Sequence, residues 1–225
     1  KLKITNMKLL ILIPCYNTHQ YLNTLIPLLY TQTSEDIIII DDGSSPPIDI
    51  EKFDKKNLFL LRNHKNKGKG YSIRKGFEYA LKNNYSDVIT LDGDMQHDPL
   101  EINKFVKYDK DATFLLGYRK FSNPMPISRI LSNTITSRII SILKNKSIND
   151  SQCGYRRYNL DAIKDFKFHE DGYIFESEIL LNCINDNTSI DNIKIRAIYD
   201  GSPSHINKIT DTMQFIKLIM RYIIA

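Results

Sequence analysis

Leu9-Leu10-Ile11-Leu12-Ile13-Pro14-Cys15-Tyr16-Asn17 is the stretch from which the fold can be read. An unbroken apolar run stopped by proline describes a strand buried on both faces of a parallel sheet. Three further runs of the same kind follow. Ile37 to Ile40 ends in Asp41-Asp42-Gly43-Ser44-Ser45-Pro46-Pro47, and Leu58 to Leu61 feeds a basic, glycine-containing loop from Arg62 to Gly70. Val88 to Leu91 runs straight into Asp92-Gly93-Asp94-Met95-Gln96-His97-Asp98-Pro99. Helical spacing separates the runs: Leu22, Leu25, Ile26, Leu28 and Leu29 form a stripe behind Asn17 and Thr18, which are cap formers, and 71–83 reads as a second helix. A helix over 100–108 and a strand over 113–116 complete the first half. Strand and helix in alternation predict an α/β fold, a mostly parallel central sheet flanked by helices with right-handed crossovers.

The second half is less regular, with a helix expected from Ile127 to Leu143, an irregular stretch around Cys153, a helix over Phe175 to Cys183 and a strand from Ile193 to Tyr199. No linker rich in Pro, Gly or Ser divides the halves and no repeat is present, so one domain is expected over 7–225. With 225 residues, 42% hydrophobic and 25% charged, the chain can build a sizeable core, and disordered and fibrous classes are excluded. The longest apolar runs fall far short of the roughly 20 residues a membrane-crossing helix needs. No charged-then-apolar leader opens the sequence, so a cytosolic address is expected. Three cysteines without a Cys-x-x-Cys pair read as buried thiols, and a net charge of +5 is too mild to name a partner.

In an open parallel sheet, ligands bind beyond the carboxyl ends of the strands. The polar clusters fall at such ends: Asp41 and Asp42 after the second strand, Asn66-Lys67-Gly68-Lys69-Gly70 after the third, Asp92 and Asp94 after the fourth. Each alone would read as a solvated turn; together they mark one edge. Two carboxylates separated by one residue supply hard oxygen ligands for Mg²⁺ or Mn²⁺ bridging to phosphate oxygens, the chemistry that helps a diphosphate leave. The basic loop has the composition of a phosphate-facing loop, with Gly68 and Gly70 permitting close backbone approach. It lacks Walker spacing, and the first strand lacks the dinucleotide-binding glycines, which disfavours nucleotide hydrolases of that type and dinucleotide oxidoreductases. No aromatic is interleaved before Tyr71, so no nucleic-acid partner is expected.

In their order along the chain, Ile13-Pro14-x-Tyr16-Asn17, Asp41-Asp42-Gly43-Ser44, Asn66-x-Gly68-x-Gly70, Asp92-Gly93-Asp94-x-Gln96-His97-x-Pro99, Gly117-x-Arg119, Asp150-Ser151-Gln152-Cys153-Gly154-Tyr155-Arg156 and Tyr199-x5-His205 resemble glycosyltransferase family 2, specifically its dolichyl- or polyprenyl-phosphate sugar synthase branch. The resemblance covers roughly Leu9 to Asp211. It implies the nucleotide-sugar-binding GT-A fold, with a nucleotide-binding half to about 117 and an acceptor-side half from about 118. It further implies an inverting transfer, a UDP- or GDP-linked donor, Mg²⁺ or Mn²⁺, and a polyprenyl phosphate or other glycan acceptor. By resemblance, Pro14, Tyr16, Asn17, Asp41, Asp42, Lys69, Gly70, Asp92 and Gly93 would hold the nucleotide sugar, and Asp92 and Asp94 the metal. Asp94, Gln96, Arg119, Asp150 and Glu178 would act in catalysis, and Arg119, Arg129, Tyr155, Arg156 and His205 would face the acceptor. Thr18 departs from the branch, which often carries an acidic residue there. The absence of Trp rules out the Gln-x-x-Arg-Trp signature of processive synthases, so one sugar per event is expected.

A lipid acceptor would require peripheral contact with the inner membrane face. Ile127, Ile130, Leu131, Ile135, Ile139 and Ile142, with Arg129, Arg138, Lys144 and Lys146, have the pattern of an interfacial helix, and Phe215 to Ile224 repeats the mixture. The alternative within the class is transfer to a sugar hydroxyl, with Asp150 or Glu178 taking its proton.

Overall fold

The computed structural model describes residues 8–53, 56–108, 112–119, 127–196, 198 and 208–224. Within them the strands are β1 (Leu9–Cys15), β2 (Asp36–Asp41), β3 (Leu58–Arg62), β4 (Asp87–Thr90), β5 (Phe114–Arg119), β6 (Arg156–Asn159) and β7 (Ile190–Ile195). The helices are α1 (His19–Gln32), α2 (Lys69–Lys82), α3 (Asn103–Val106), α4 (Ile127–Lys144), α5 (Phe175–Cys183) and α6 (Lys208–Ile224). One seven-stranded sheet runs in the order β3-β2-β1-β4-β6-β5-β7. β2, β1 and β4 pair in parallel, as do β5 and β7, while β6 runs antiparallel to both its neighbours.

The apolar runs form these strands because both sheet faces are covered. Leu10, Leu12, Ile38 and Ile40 face the layer of α2, α5 and α6, whereas Leu9, Ile11, Ile13, Ile37 and Ile39 face that of α1 and α3; all are buried. An alternating strand would leave one face wet, so the continuous runs were the correct signature. Register then fixes the functional edge: Cys15 stands opposite Asp41, and Asp41 opposite Arg62. The first residues after β1, β2 and β3 therefore emerge together, and β4, which ends opposite Leu12, opens on the same edge three residues lower.

Four expectations change. The helix expected over 100–108 is a short 3₁₀ turn at Pro99–Glu101 followed by the single turn of α3. The last strand among the described residues lies at Ile190–Ile195; of the expected 193–199, Arg196 and Ile198 are not in strand, and 197 and 199 lie outside the described residues. The irregular stretch near Cys153 leads into β6, whose sequence Arg-Arg-Tyr-Asn carries no apolar alternation yet is largely buried. Arg157 supports it by donating to Asp87 and to the Phe105 carbonyl. Finally, Thr18 makes no side-chain cap bond to α1, and the Asn17 amide is used elsewhere.

Candidate active site

At the C-terminal end of β2 both aspartates are buried and committed to backbone and side-chain donors of the neighbouring loops. Asp41 accepts from Ser44 N (2.8 Å), Ile48 N (3.2 Å) and Arg62 Nη1 (2.7 Å). Asp42 accepts from Asn63 Nδ2 (2.7 Å), Lys67 N (3.0 Å) and Gly68 N (2.8 Å). Three bonds to one carboxylate leave little for a ribose, so the pair acts first as staples shaping the loops after β2 and β3. Asn17 does similar work: its N–H donates to Ser44 Oγ and its Oδ1 accepts from Ser45 N, both at 2.9 Å. Beside it Pro14 is half-buried and Tyr16 is 46% exposed, an aromatic face open at the edge.

The glycines of the basic loop allow another segment of the chain to come close. A Cβ on Gly70 would lie 2.5 Å from Phe175 Cβ and 2.8 Å from the Glu170 carbonyl, and one on Gly68, whose φ is +102°, would collide with the Asp171 carbonyl. The close neighbour is the protein's own 170–175 segment, which packs onto the start of α2, and Tyr71 N donates to Asp171 O (3.1 Å). Lys69 does not face outward either. Its ammonium is 2.6 Å from Asp92 Oδ1 and 3.1 Å from Glu176 Oε1.

Asp92 and Asp94 differ sharply in environment. Burial alone would raise the Asp92 carboxyl, but Lys69 outweighs burial and holds it below the ordinary carboxylate value. Burial, reinforced by Asp92, raises the Asp94 carboxyl. Asp94 Oδ1 accepts from Gln96 N at 3.0 Å in a tight turn in which Met95 has φ 61°. No cationic side chain among the described residues pairs with it. Behind the pair, His97 is pushed down to about 4 by burial, so its imidazole is neutral; it lies 3.8 Å from Asp92 Oδ2 and 3.7 Å from Cys153 Sγ. Gly93 packs on Cys15 with no room for a Cβ (2.7 Å from Sγ). Gln96 is half-buried and its carbonyl accepts from Ile198 N (2.9 Å).

On the other side of the edge, Arg119 ends β5 and grips Asp150 with two bonds, Nε to Oδ2 at 2.8 Å and Nη2 to Oδ1 at 3.1 Å. Asp150 is fully buried and also accepts from Gln152 N (3.1 Å). Glu178 does not face the site. Its two oxygens accept from His169 N and Glu170 N, both at 2.9 Å, and hold the segment that backs α2. Tyr155 and Arg156 are withdrawn from any acceptor. Tyr155 is buried and stacked on Phe105 at 4.4 Å between centroids, an apolar partner rather than a ligand. Arg156 is 0% exposed and donates to the carbonyls of Cys153 (2.7 Å), Ser151 (2.6 Å) and Glu176 (3.0 Å), riveting the 151–153 turn to α5. His205 and the side chain of Arg129 lie outside the described residues.

Sequence reasoning missed Glu176 and Gly154. Residues two apart on a helix point about 200° apart, so only one of Glu176 and Glu178 can face the site, and nothing local says which. Gly154 was part of a motif without a role. Here it is the floor beneath Asp92, where a Cβ would stand 2.7 and 2.8 Å from the carboxylate oxygens.

A sheet of this order, with an Asp-x-Asp turn leaving β4 and an arginine closing β5, defines a glycosyltransferase of the GT-A fold. The solved structure of glucosyl-3-phosphoglycerate synthase from Mycobacterium tuberculosis, in complex with Mn²⁺, UDP and glucosyl-3-phosphoglycerate, matches it with a TM-score of 0.67 at 14% identity, over 96% of this chain and 80% of that one. More particularly, the chain belongs to Glycosyl transferase family 2, whose sequence signature spans residues 10–165. Among its relatives, the uncharacterised protein MJ0544 of Methanocaldococcus jannaschii is 38% identical over 65% of this chain and 69% of its own. UDP-N-acetylglucosamine–dolichyl-phosphate N-acetylglucosaminyltransferase of Methanococcus voltae is 25% identical over 84% of this chain and 85% of its own.

Proposed function

We propose that this glycosyltransferase moves one sugar, with inversion, from a nucleoside diphosphate to a polyprenyl phosphate held in a membrane. The observation that carries the reading is the commitment of the acidic side chains on the acceptor side. Asp150 is locked to Arg119, Glu178 to backbone N–H groups and Glu176 to Lys69. A hydroxyl acceptor would need one of them to take its proton. A phosphate monoester, with its second pKa near ~6, is already anionic and needs none. The dolichyl-phosphate substrate named for the relative from Methanococcus voltae supports the same acceptor class.

The donor set fits a divalent cation at Asp94: a half-buried, hard-oxygen carboxylate with no cationic side chain paired to it among the described residues, while Asp92 is taken by Lys69. Among the described residues no group of three ligating side chains surrounds it, so diphosphate oxygens and water would have to complete the shell. Bound there, Mg²⁺ or Mn²⁺ would neutralise charge on the departing diphosphate. Mn²⁺ and UDP in the solved relative support this choice. The chain's own residues do the rest. The turn at Asp94 to Gln96 fixes the open carboxylate, Tyr16 offers a face for the nucleotide, and the Arg119 guanidinium, oriented by Asp150, sets positive charge where the acceptor phosphate would dock. A phosphate oxygen then attacks the anomeric carbon from the face opposite the diphosphate, whose bond to that carbon breaks with the electron pair leaving on the diphosphate.

The outer faces of α4 and α6 support membrane contact. Leu131, Ile135 and Ile142 are exposed on one stripe of α4 that also carries Arg138. Met213, Ile216, Met220, Ile223 and Ile224 are exposed on α6 within an arc of roughly 100°, flanked by Lys217 and Arg221. No helix among the described residues is long and apolar enough to cross a membrane. Vesicles containing anionic lipid should retain the protein at low salt and release it at high salt, since screening acts beyond about 10 Å at 0.1 M; absence from the pellet at low salt would count against this face.

Calorimetric titration with UDP, GDP and CDP, each with Mn²⁺, identifies the donor class. Asp94→Ala should then abolish transfer to a short-chain polyprenyl phosphate while leaving the fold intact. Near-wild-type turnover, or activity unaffected by EDTA, would overturn the assignment.

A further inference from the structure

Lys69, Asp92, Glu176 and Gly154 come from four separate segments and meet in one largely buried knot. Lys69 opens α2, Asp92 follows β4, Glu176 lies in the first turn of α5, and Gly154 precedes β6. The ammonium touches both carboxylates, at 2.6 and 3.1 Å. A Cβ on Gly154 would approach Lys69 Nζ to 2.8 Å, about as close as it would come to the Asp92 oxygens. The Lys69 side chain is 15% exposed and that of Glu176 5%, so neither group has much water to turn to. Two contacts to carboxylates tie the ammonium to the interior, and Glu176 lies behind it.

We propose that Lys69 and Glu176 are positioning residues. Together they hold Asp92 in the orientation that leaves Asp94 as the carboxylate open to cation and diphosphate, and they tie the donor edge of the sheet to the acceptor-side helix α5. The physical reason is the count of charges. One ammonium alone between β4 and α2 could pair with Asp92 in several rotamers. A second carboxylate on the opposite wall stretches the lysine between two fixed points, and Gly154, which has no Cβ, leaves the space that the Asp92–Lys69 pair occupies. The inference rests on the glycosyl-transfer reading above.

The test uses Lys69→Met, Glu176→Gln and the Lys69→Met/Glu176→Gln double variant. Glu176→Gln keeps shape and an oxygen acceptor and removes only charge, so it remains informative if Lys69→Met, which leaves two buried carboxylates unpaired, fails to fold. Transfer to a short-chain polyprenyl phosphate is measured with the donor matching whichever nucleotide binds in the titration above, and binding of that nucleotide with Mn²⁺ is measured separately by calorimetry. Each folded variant should lose about 10- to 100-fold in kcat, the scale of an ångström-level misplacement. Donor KM and nucleotide Kd should stay within about threefold of wild type, because neither side chain touches the nucleotide. The double variant should be no slower than Lys69→Met by more than about threefold, since both act through Asp92. Wild-type kcat in folded Glu176→Gln, additive losses, or a tenfold weaker nucleotide Kd in any variant would overturn the assignment. Failure of the wild-type protein to bind nucleotide or transfer sugar would instead sink the proposed function.

Discussion

Replacing Gly154 by alanine probes the placement of Asp92 with a single methyl group. The glycine's φ lies outside the left-handed region, so alanine meets no backbone penalty. Its carbonyl accepts from Thr90 Oγ1 at 2.8 Å, so the main chain cannot recoil. The new Cβ would stand 2.7 and 2.8 Å from the Asp92 oxygens and 2.8 Å from Lys69 Nζ, where ordinary contact begins at 3.4 Å. The ion pair must therefore withdraw by about 0.6 to 0.7 Å, most of the distance that costs about 10²-fold when reacting groups are misplaced. Turnover should fall about 10- to 100-fold, equivalent to about 1.4 to 2.7 kcal/mol of transition-state stabilisation. Stability should change little, because the entropy alanine removes from the unfolded chain is worth about 0.4 to 1 kcal/mol and offsets part of the strain. Gly172→Ala is the matched control, since nothing lies within 4 Å of its Cβ. Steady-state kinetics on both variants, with thermal melts, decide the matter. Turnover of folded Gly154→Ala within threefold of wild type would refute the idea that Asp92 must stay where it is.

Arg156→Lys should lower stability by more than about 3 kcal/mol in urea titration, because the carbonyls of Ser151, Cys153 and Glu176 lose buried donors. A shift in acceptor KM with an unchanged urea midpoint would return Arg156 to the acceptor site. Arg119→Lys keeps charge but loses the two-point grip on Asp150, so acceptor KM should rise about 10- to 100-fold with donor affinity nearly unchanged; equal losses on both sides would place Arg119 on the donor. Burial pushes the thiols of Cys15, Cys153 and Cys183 up to about 12, which leaves a thiolate fraction of about 10⁻⁴ at pH 8. Labelling by a thiol reagent should thus be slow in the native protein, rise about tenfold per pH unit, and become rapid in denaturant. Rapid native labelling at pH 8 would contradict that burial.

The sequence by itself determined the parts of this protein that depend on local pattern. Continuous apolar runs at Leu9, Ile37, Leu58 and Val88 predict strands covered on both faces. Such strands place Asp41, Asp92 and Asp94 on one edge, because side-chain period and strand direction need only neighbouring residues to be read. Tertiary structure decided which polar groups remain open. Lys69 and Glu176 are more than 100 residues apart in sequence, and only the packing of α5 onto α2 makes them neighbours. The same packing turned Gly68 and Gly70 toward the 170–175 segment, consigned Glu178 to backbone N–H groups, and buried Arg156 in an antiparallel strand whose sequence looks like surface. Charge on a side chain is legible from its identity. Whether that charge is spent inside the fold or left for a ligand depends on partners that the chain brings from elsewhere.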